Sequence, residues 1–367
     1  MSNVGIKNDR IVFDFTHVHP DAILEVEFQR TLRMPDDGKE YGLPPGRGCF
    51  PLKAVDELKP GRAPEAWTKR GGVVLPMHRT EAMWINFRSP SGYLFLVKIA
   101  SGKVNAVTGK PWSEAPDFAD QDFLELPKQR WLDGFNTGKD PRGADVIRQF
   151  VAVGLDEDAD FTVEKQVTGE AEHGGVQILV YPIRATAWEQ RKPRFQPRTR
   201  GGLECFTAAS YASSCASMGF SRSAALSVRP DMGLAAGAKI RQKIVSSDIP
   251  ADEWDLTQKA KCFVALANAM SWMHLTGQQP PTVAPTAADY AAAGLPFWDY
   301  QPAGKSVGNS EILDKVKSIA ELSGETGKHI LPENESFDPQ KAVTIPVAPV
   351  GQHLAKTGAK ILGGGDF

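Results

Sequence analysis

Alternating apolar and polar residues dominate the first half of the chain. Leu24, Val26 and Phe28 alternate with glutamates, which places the apolar side chains on one face of an extended segment and the carboxylates on the other. Such alternation is typical of an antiparallel strand with one buried face. Further strand-length runs, rich in β-branched and aromatic residues, span 82–87, 93–100, 146–153, 161–167 and 176–183. We therefore predict a β-rich domain over residues 1–185, built as an antiparallel sandwich or a strongly twisted sheet.

The segment 231–300 combines strand and helix patterns. Alternation over 240–244 predicts a short strand, and the dense apolar run 262–267 predicts a buried one. Asn268 is a suitable N-cap for a helix that a glycine ends, although a single helix over 252–276 fits the same residues. We expect this segment to complete the core of the first domain, which makes the fold class α+β with few short helices.

Two more helices are predicted further along the chain. Thr286 is the N-cap of a short helix that Gly294 ends. The aromatic run 295–300 favours a core plug over a platform for a ligand. Apolar spacing over 312–320 predicts an amphipathic helix, and prolines and glycines predict an extended C-terminal tail for the rest of 301–367.

The segment 186–230 changes composition twice. Its first part is basic and has no carboxylate from residue 190 to residue 203; the basic residues are Arg191, Lys192, Arg194, Arg198 and Arg200. Arginines with Phe195 among them suit phosphate binding and base stacking, but a solvated linker has the same composition, and we favour the linker. The Ser- and Ala-rich stretch 205–227 is either a helix or a disordered insertion.

Composition excludes several classes of protein. The 367 residues have a formal net charge of −2, with 41% hydrophobic and 23% charged residues, which excludes a disordered chain and a surface that is basic overall. No apolar run reaches the roughly 18 residues that span a bilayer, and the N-terminus does not resemble a signal peptide, so we expect neither a membrane partner nor secretion. The four cysteines have no paired short spacing, which indicates reduced thiols in a cytoplasmic protein.

Nucleotide and hydrolase signatures are missing from the sequence. The run 233–239 resembles a phosphate-binding loop, but the gap between its glycines is too short and no Lys-Ser or Lys-Thr pair follows. The chain has no Gly-x-Ser-x-Gly, Gly-x-Gly-x-x-Gly or His-Glu-x-x-His run. We predict no cofactor and no metal. Whether the protein is an enzyme stays open, because catalytic groups commonly converge from distant positions.

The most concentrated polar cluster consists of Glu170, Glu172 and His173. A carboxylate pair beside an imidazole is able to do acid–base work or to bind a metal. The flanking glycines instead favour a hairpin turn between the strands predicted at 161–167 and 176–183, and we favour that turn.

A second candidate pair is His17 and His19, which would share one face of an extended segment and thus one metal. Pro20 ends any strand there at once, and two imidazoles do not complete a site. We therefore favour a loop at these histidines.

Several short distinctive runs lie between residues 35 and 300. They are 35–46, 70–77, 81–84, 105–109, 131–134, 147–152, 168–175, 232–237 and 293–296, with Asp299 and Tyr300 after them. In these runs the chain resembles a family of uncharacterised microbial proteins. The resemblance implies no particular chemistry. Members of the family are sometimes labelled integral membrane proteins, a label that the short apolar runs do not support.

The tail carries the leading functional hypothesis. Its residues Val343, Ile345, Val347 and Val350 lie among prolines, which suit an extended chain along a surface or sheet edge and forbid a helix. The partner surface is either the chain's own body or a neighbouring subunit, and we favour the neighbour and hence a homo-oligomer. We thus expect a non-enzymatic binding or structural protein. An enzyme or small-ligand binder near His173 and a polyanion binder through 191–200 are the alternatives.

Overall fold

The computed structural model describes residues 3–139, 143–192, 229–294, 297–299, 302, 304–330 and 343–344. These residues form a β-rich α+β structure with one large, mainly antiparallel sheet, so the predicted fold class is confirmed. The strands are β1 (Asn3–Lys7), β2 (Arg10–Asp14), β3 (Ile23–Thr31), β4 (Glu40–Tyr41), β5 (Lys53–Ala54), β6 (Val73–Met77), β7 (Ala82–Arg88), β8 (Phe95–Ser101), β9 (Val104–Asn105), β10 (Leu124–Leu126), β11 (Trp131–Leu132), β12 (Gly134–Lys139), β13 (Asp145–Gly154), β14 (Val176–Pro182), β15 (Asp231–Arg241), β16 (Ala260–Asn268), β17 (Trp298–Asp299) and β18 (Val343–Thr344). The helices are α1 (Glu65–Arg70), α2 (Val163–Thr168), α3 (Ala185–Arg191), α4 (Ala269–Thr276), α5 (Ala287–Ala293) and α6 (Ile319–Thr326).

Sixteen of the described strands belong to the large sheet, whose main path runs β1-β2-β3-β7-β13-β15-β16-β14-β8-β10. The pairs are antiparallel except for β4 with β15 and β6 with β16. Strands β15 and β16 share only two residue pairs, Asp231 with Ala267 and Met232 with Leu266, so they join two halves of the sheet. Phe28 and Ile85 from one half and Ile178 and Val264 from the other belong to the same buried core. The two halves of the sheet therefore contribute side chains to one common core.

Most of the predicted strands are present. The runs at 24–28, 82–87, 146–153 and 176–183 correspond to β3, β7, β13 and β14, and the run at 93–100 overlaps β8. In β3 the apolar Leu24, Val26 and Phe28 are fully buried, as the alternation predicts. Strand β14 is buried at every position, because neighbouring strands pair with both of its edges and its faces are covered.

Two predicted helices form where their caps indicate. The side chain of Asn268 accepts the Met270 N–H at the start of α4, and Gly277 ends that helix in the left-handed conformation. Thr286 and Asp289 form a reciprocal capping box at the start of α5. The alternative of one helix over 252–276 is wrong, because residues 260–268 pair in the sheet as β16.

The strand predicted at 161–167 is wrong, since Val163–Thr168 forms helix α2. The Thr162 hydroxyl accepts the backbone N–H of Lys165 at 3.1 Å, which caps the first turn. Gly169 then ends the helix with a φ of 82°. Local capping therefore outweighs the β-branched composition of this segment.

The single amphipathic helix predicted over 312–320 is also wrong. Leu313–Lys315 forms one 3-10 turn, and Val316 is extended. Helix α6 begins only after Ser318, whose hydroxyl accepts the Glu321 N–H while the Glu321 carboxylate accepts the Ser318 N–H. Gly324 lies inside this helix.

No helix in the described ranges is long and apolar enough to cross a membrane. The Ser- and Ala-rich stretch 205–227 and the tail residues Ile345, Val347 and Val350 lie outside the described residues. Val343 lies in β18, which pairs in parallel with β17 as a separate sheet of two strands.

Candidate functional site

The predicted Glu-His cluster lies in a loop of residues 169–175, which connects α2 to β14. Gly174 and Gly175 have φ values of 55° and 60°. A Cβ atom on Gly175 would lie 2.6 Å from the carbonyl oxygen of Val264, so only glycine fits so close to the sheet. The loop is thus pressed against β15 and β16 and is not an exposed hairpin.

The carboxylate that organises this loop belongs to Glu164, on the first turn of α2. Its side chain is 3% exposed. Oε1 accepts the backbone N–H groups of Glu172 at 3.0 Å and His173 at 2.8 Å, and Oε2 accepts that of Gly174 at 2.8 Å. Three successive N–H groups therefore converge on one buried carboxylate, which fixes the loop conformation.

The imidazole of His173 is held by the same carboxylate. Its Nδ1 lies 3.1 Å from Oε1 of Glu164. Because an ionised carboxylate only accepts hydrogen bonds, this contact places the proton on Nδ1 and leaves the lone pair of a neutral ring on Nε2. The side chain is 28% exposed, so a ligand is able to reach it.

Arg70 borders the loop, and the charge of Asp231 acts on its guanidinium. Nη1 of Arg70 donates to the His173 carbonyl at 3.2 Å, and the guanidinium lies 5.0 Å from the centre of the Phe263 ring. Burial lowers the pKa of Arg70 and raises that of Asp231. Arg70 therefore holds the loop to β16, which contains Phe263, and it places a cation next to the backbone of His173.

The side chains of the candidate residues Glu170 and Glu172 are exposed, whereas the carboxylate that contacts the His173 imidazole is that of Glu164. The sequence pattern does not single out Glu164, because the β-branched residues around it predict a strand. The Thr162 cap and the glycine at 169 were the signals for a helix that turns Glu164 towards the loop. Within the described residues no three His, Cys, Asp or Glu side chains are grouped to hold a metal ion.

The histidines at 17 and 19 lie in a turn after β2. Nε2 of His17 contacts Oε1 of Gln258 at 2.9 Å, and Nε2 of His19 contacts Oε1 of Glu189 at 2.8 Å. The two rings therefore bind different partners and do not face one metal position.

Two of the predicted anion-binding residues lie at the end of α3. Arg191 binds both carboxylate oxygens of Glu253, and Lys192 binds Glu189 at 2.6 Å. Arg194, Arg198 and Arg200 lie outside the described residues. The two described cations are thus already paired with carboxylates.

The described part of the tail meets the body at an aromatic cluster, here called the Trp298 cluster, which consists of Leu43, Trp84, Trp131 and Trp298. The ring centres of Trp84 and Trp131 lie 6.1 Å apart, and that of Trp298 lies 6.5 and 6.3 Å from them. The backbone of Trp298 exchanges two hydrogen bonds with Leu43, at 2.7 and 2.9 Å. On this anchored segment, β17 pairs with β18 of the tail.

The Trp298 cluster contains a buried hydrogen-bond donor that has no acceptor in the described part of the chain. The indole N–H of Trp84 is buried and donates to nothing there. An unmet buried donor costs about 1–3 kcal/mol. The cluster therefore has an unused donor close to the place where the tail strand arrives.

No protein-family model, curated protein or solved structure matches the chain. Two clefts of about 300 and 390 Å³ lie on either side of Ile312, one lined by Lys110, Asp120 and Ser310 and the other by Val167 and Lys317. Neither cleft is lined by Glu170, Glu172 or His173. The functional argument accordingly rests on the loop at His173 and on the Trp298 cluster.

Proposed function

We propose that the protein is a cytoplasmic, non-enzymatic binding or structural protein that self-associates through its C-terminal tail. The observation that supports this proposal is the parallel pairing of Val343–Thr344 with Trp298–Asp299. Addition of an extended segment to a strand is a general mode of protein association, with affinity from main-chain hydrogen bonds. The tail is the added strand, and β17 is its receptor.

The receptor strand is part of the body, whereas the added strand is remote from it in sequence. Hydrogen bonds from Trp298 to Leu43 fix β17 beside the Trp298 cluster. Twelve residues, 331–342, separate β18 from the last described residue of the body. A segment of that length spans at most about 40 Å, so β18 is able to reach β17 of a second subunit as well as its own.

Exchange between subunits needs no new interface chemistry. A pairing of two residues per strand is weak, and identical chains offer identical receptors, so the intramolecular and exchanged pairings use the same contacts. We propose that the apolar Val343, Ile345, Val347 and Val350 add contact area to the exchanged form. The resulting assembly is a homo-oligomer.

Truncation tests this proposal. The variant that ends at Ile330 keeps every described strand of the large sheet and lacks the tail, so its mass by light scattering should fall to that of a monomer. Its circular-dichroism spectrum should keep the strand signal of the full chain. A matched variant that ends at Val350 keeps the proposed contact residues and should keep the assembly. A full-length chain that is monomeric at tens of micromolar, or a tailless chain that still assembles, contradicts the proposal.

A second candidate function is small-ligand binding or catalysis at His173. The favouring observation is the contact of Nδ1 with the buried Glu164, which presents Nε2 in one tautomer, as in general-base sites. A thermal-shift screen against small carboxylate and phosphate anions tests it, with His173→Asn as the comparison. Stabilisation that the variant loses supports the function, and stabilisation that it keeps places the ligand elsewhere.

Polyanion binding through 191–200 is the third candidate. The pairing of Arg191 with Glu253 and of Lys192 with Glu189 counts against those two residues. The candidate therefore depends on Arg194, Arg198 and Arg200.

A further inference from the structure

Two lysines share one face of the large sheet, on either side of β14. Leu179 of β14 is paired with Lys98 of β8 at one edge and with Lys261 of β16 at the other. Residues paired in this way point to the same face, and so does Tyr181, two positions along β14 from Leu179. Two ammonium groups and a phenol hydroxyl therefore lie on one face of three adjacent strands.

The segment 111–122, here called the covering segment, lies between β9 and β10 and contacts this face. Its Asp122 carboxylate binds Nζ of the fully buried Lys98 at 2.7 Å, and the carbonyl of Ala115 accepts from the same Nζ at 2.7 Å. The centre of the Trp112 ring lies 5.8 Å from that ammonium group. The covering segment thus encloses Lys98 and neutralises its charge.

Glu114 of the covering segment meets three further donors. Its Oε2 contacts Nζ of Lys259, and its Oε1 accepts from Nζ of Lys261 at 2.9 Å. Its backbone carbonyl accepts the hydroxyl of Tyr181 at 3.0 Å. The hydrogen bonds from the two lysines lower the pKa of Glu114, so the side chain is a carboxylate at neutral pH. Three acceptors of one residue are therefore matched to three donors.

The same three donors suit a phosphate group. A phosphate dianion carries on one centre as many oxygens as Glu114 supplies from its side chain and backbone together, and lysine is a common ligand of phosphate. Asp122 neutralises Lys98. The ammonium groups of Lys259 and Lys261 therefore leave two positive charges when Glu114 is absent, which equals the charge of the dianion. Glu114 itself supplies only one negative charge.

Glu114 binds at an edge of the covering segment that solvent reaches. The side chains of Glu114 and Lys259 are 35% and 46% exposed, and that of Lys261 is 16% exposed. Ion pairs with this much exposure contribute little to stability, so a competing anion is able to replace them. The contacts with Lys98 are made by other residues of the covering segment. Glu114 is therefore able to move away while the segment stays attached.

We propose that Lys259, Lys261 and Tyr181 form a binding site for a phosphate dianion. Glu114 occupies this site as an internal competitor until the ligand displaces it. The ligand is free phosphate or the phosphate group of a monoester, since both present the same dianion. These four residues lie outside the tail, so phosphate binding and self-association are tested separately.

Calorimetric titration of the full-length protein with inorganic phosphate, at constant ionic strength and about pH 8, tests this site. Glu114→Gln removes the competing charge and should bind phosphate about tenfold more tightly than the wild type. The matched control is Glu65→Gln, which removes the same charge and also releases a lysine, because Glu65 binds Lys69 at 2.7 Å on the exposed surface of α1. This control should keep the affinity of the wild type.

Removal of a donor from the Glu114→Gln protein is the converse test. Glu114→Gln/Lys261→Met should bind phosphate about tenfold more weakly than Glu114→Gln, and Glu114→Gln/Tyr181→Phe about threefold more weakly, with unchanged far-UV circular dichroism. Methyl phosphate is the second probe: tighter binding than inorganic phosphate identifies a monoester as the ligand, and equal or weaker binding identifies free phosphate. An affinity of Glu114→Gln no higher than that of Glu65→Gln, or binding that neither double variant weakens, overturns the site.

Discussion

Replacement of Glu164 by glutamine should destabilise the protein far more than the same change at Glu170 or Glu172. In Glu164→Gln one carboxylate oxygen becomes an NH2 group. The better of the two amide orientations keeps Oε1 on Glu172 N–H, His173 N–H and His173 Nδ1, and it turns the NH2 group towards the Gly174 N–H. A buried donor then faces another donor.

The expected cost follows from these contacts. An unmet buried N–H at Gly174 costs about 1–3 kcal/mol. The three remaining bonds lose their shared negative charge, which costs about 1 kcal/mol more, counted once because they depend on one charge. We therefore expect the free energy of unfolding to fall by about 2–4 kcal/mol. Glu170→Gln and Glu172→Gln change exposed side chains and should stay within about 0.5 kcal/mol of the wild type.

Urea unfolding followed by far-UV circular dichroism measures the three variants against the wild type. Amide hydrogen exchange adds a local readout, because the protection of the 172–174 amides should fall selectively in Glu164→Gln. A loss below about 0.5 kcal/mol in this variant, or an equal loss in Glu172→Gln, refutes the role given to Glu164.

Two further predictions concern charged residues in the body and at α3. Replacement of Lys98 by methionine should lower the free energy of unfolding by about 3–5 kcal/mol, because Lys98 is fully buried and binds Asp122 at 2.7 Å. Burial already raises the pKa of Asp122, so the loss of stability in Lys98→Met should grow as the pH rises from about 4. The double variant Lys98→Met/Asp122→Asn should be more stable than the sum of the two single changes predicts. Additive free energies of unfolding in urea contradict the pairing. Arg191→Ala/Lys192→Ala should elute from a heparin column at the same salt concentration as the wild type, because carboxylates already neutralise both cations. Earlier elution of this variant than of Arg194→Ala/Arg198→Ala/Arg200→Ala contradicts that prediction.

The sequence predicts the strands well because their signal is local. In β3 the alternation at Leu24, Val26 and Phe28 directly encodes a buried face. The order of the strands in the sheet cannot be predicted in the same way. Strand β7 lies between β3 and β13, and no local sequence pattern encodes these long-range contacts. The division of the sheet at β15 and β16 is equally non-local.

The two wrong predictions of secondary structure, at 161–167 and 312–320, arise where helix-capping residues compete with the apolar pattern. Val163 and Val167 are β-branched and predict a strand, yet Thr162 and Gly169 cap a helix there. Over 312–320 the apolar spacing fits one helix, but the Ser318 capping box starts α6 within that range. The sequence contains both capping signals, namely Ser318 with Glu321 at the start of α6, and Thr162 and Gly169 at the two ends of α2. The role of Glu164 depends on α2, since the side chain reaches the loop from the first turn of that helix.

The position of Glu164 also changes what catalysis at the loop would require. The side chains of Glu170 and Glu172 are exposed, and the carboxylate that binds the imidazole of His173 is the buried Glu164. The remaining base is Nε2 of His173, whose tautomer depends on Glu164. The same carboxylate also holds three backbone N–H groups, so any change at Glu164 alters the loop and the imidazole together. A substitution at His173 distinguishes an effect on catalysis from an effect on folding, because His173→Asn removes the base while Glu164 keeps its three backbone donors.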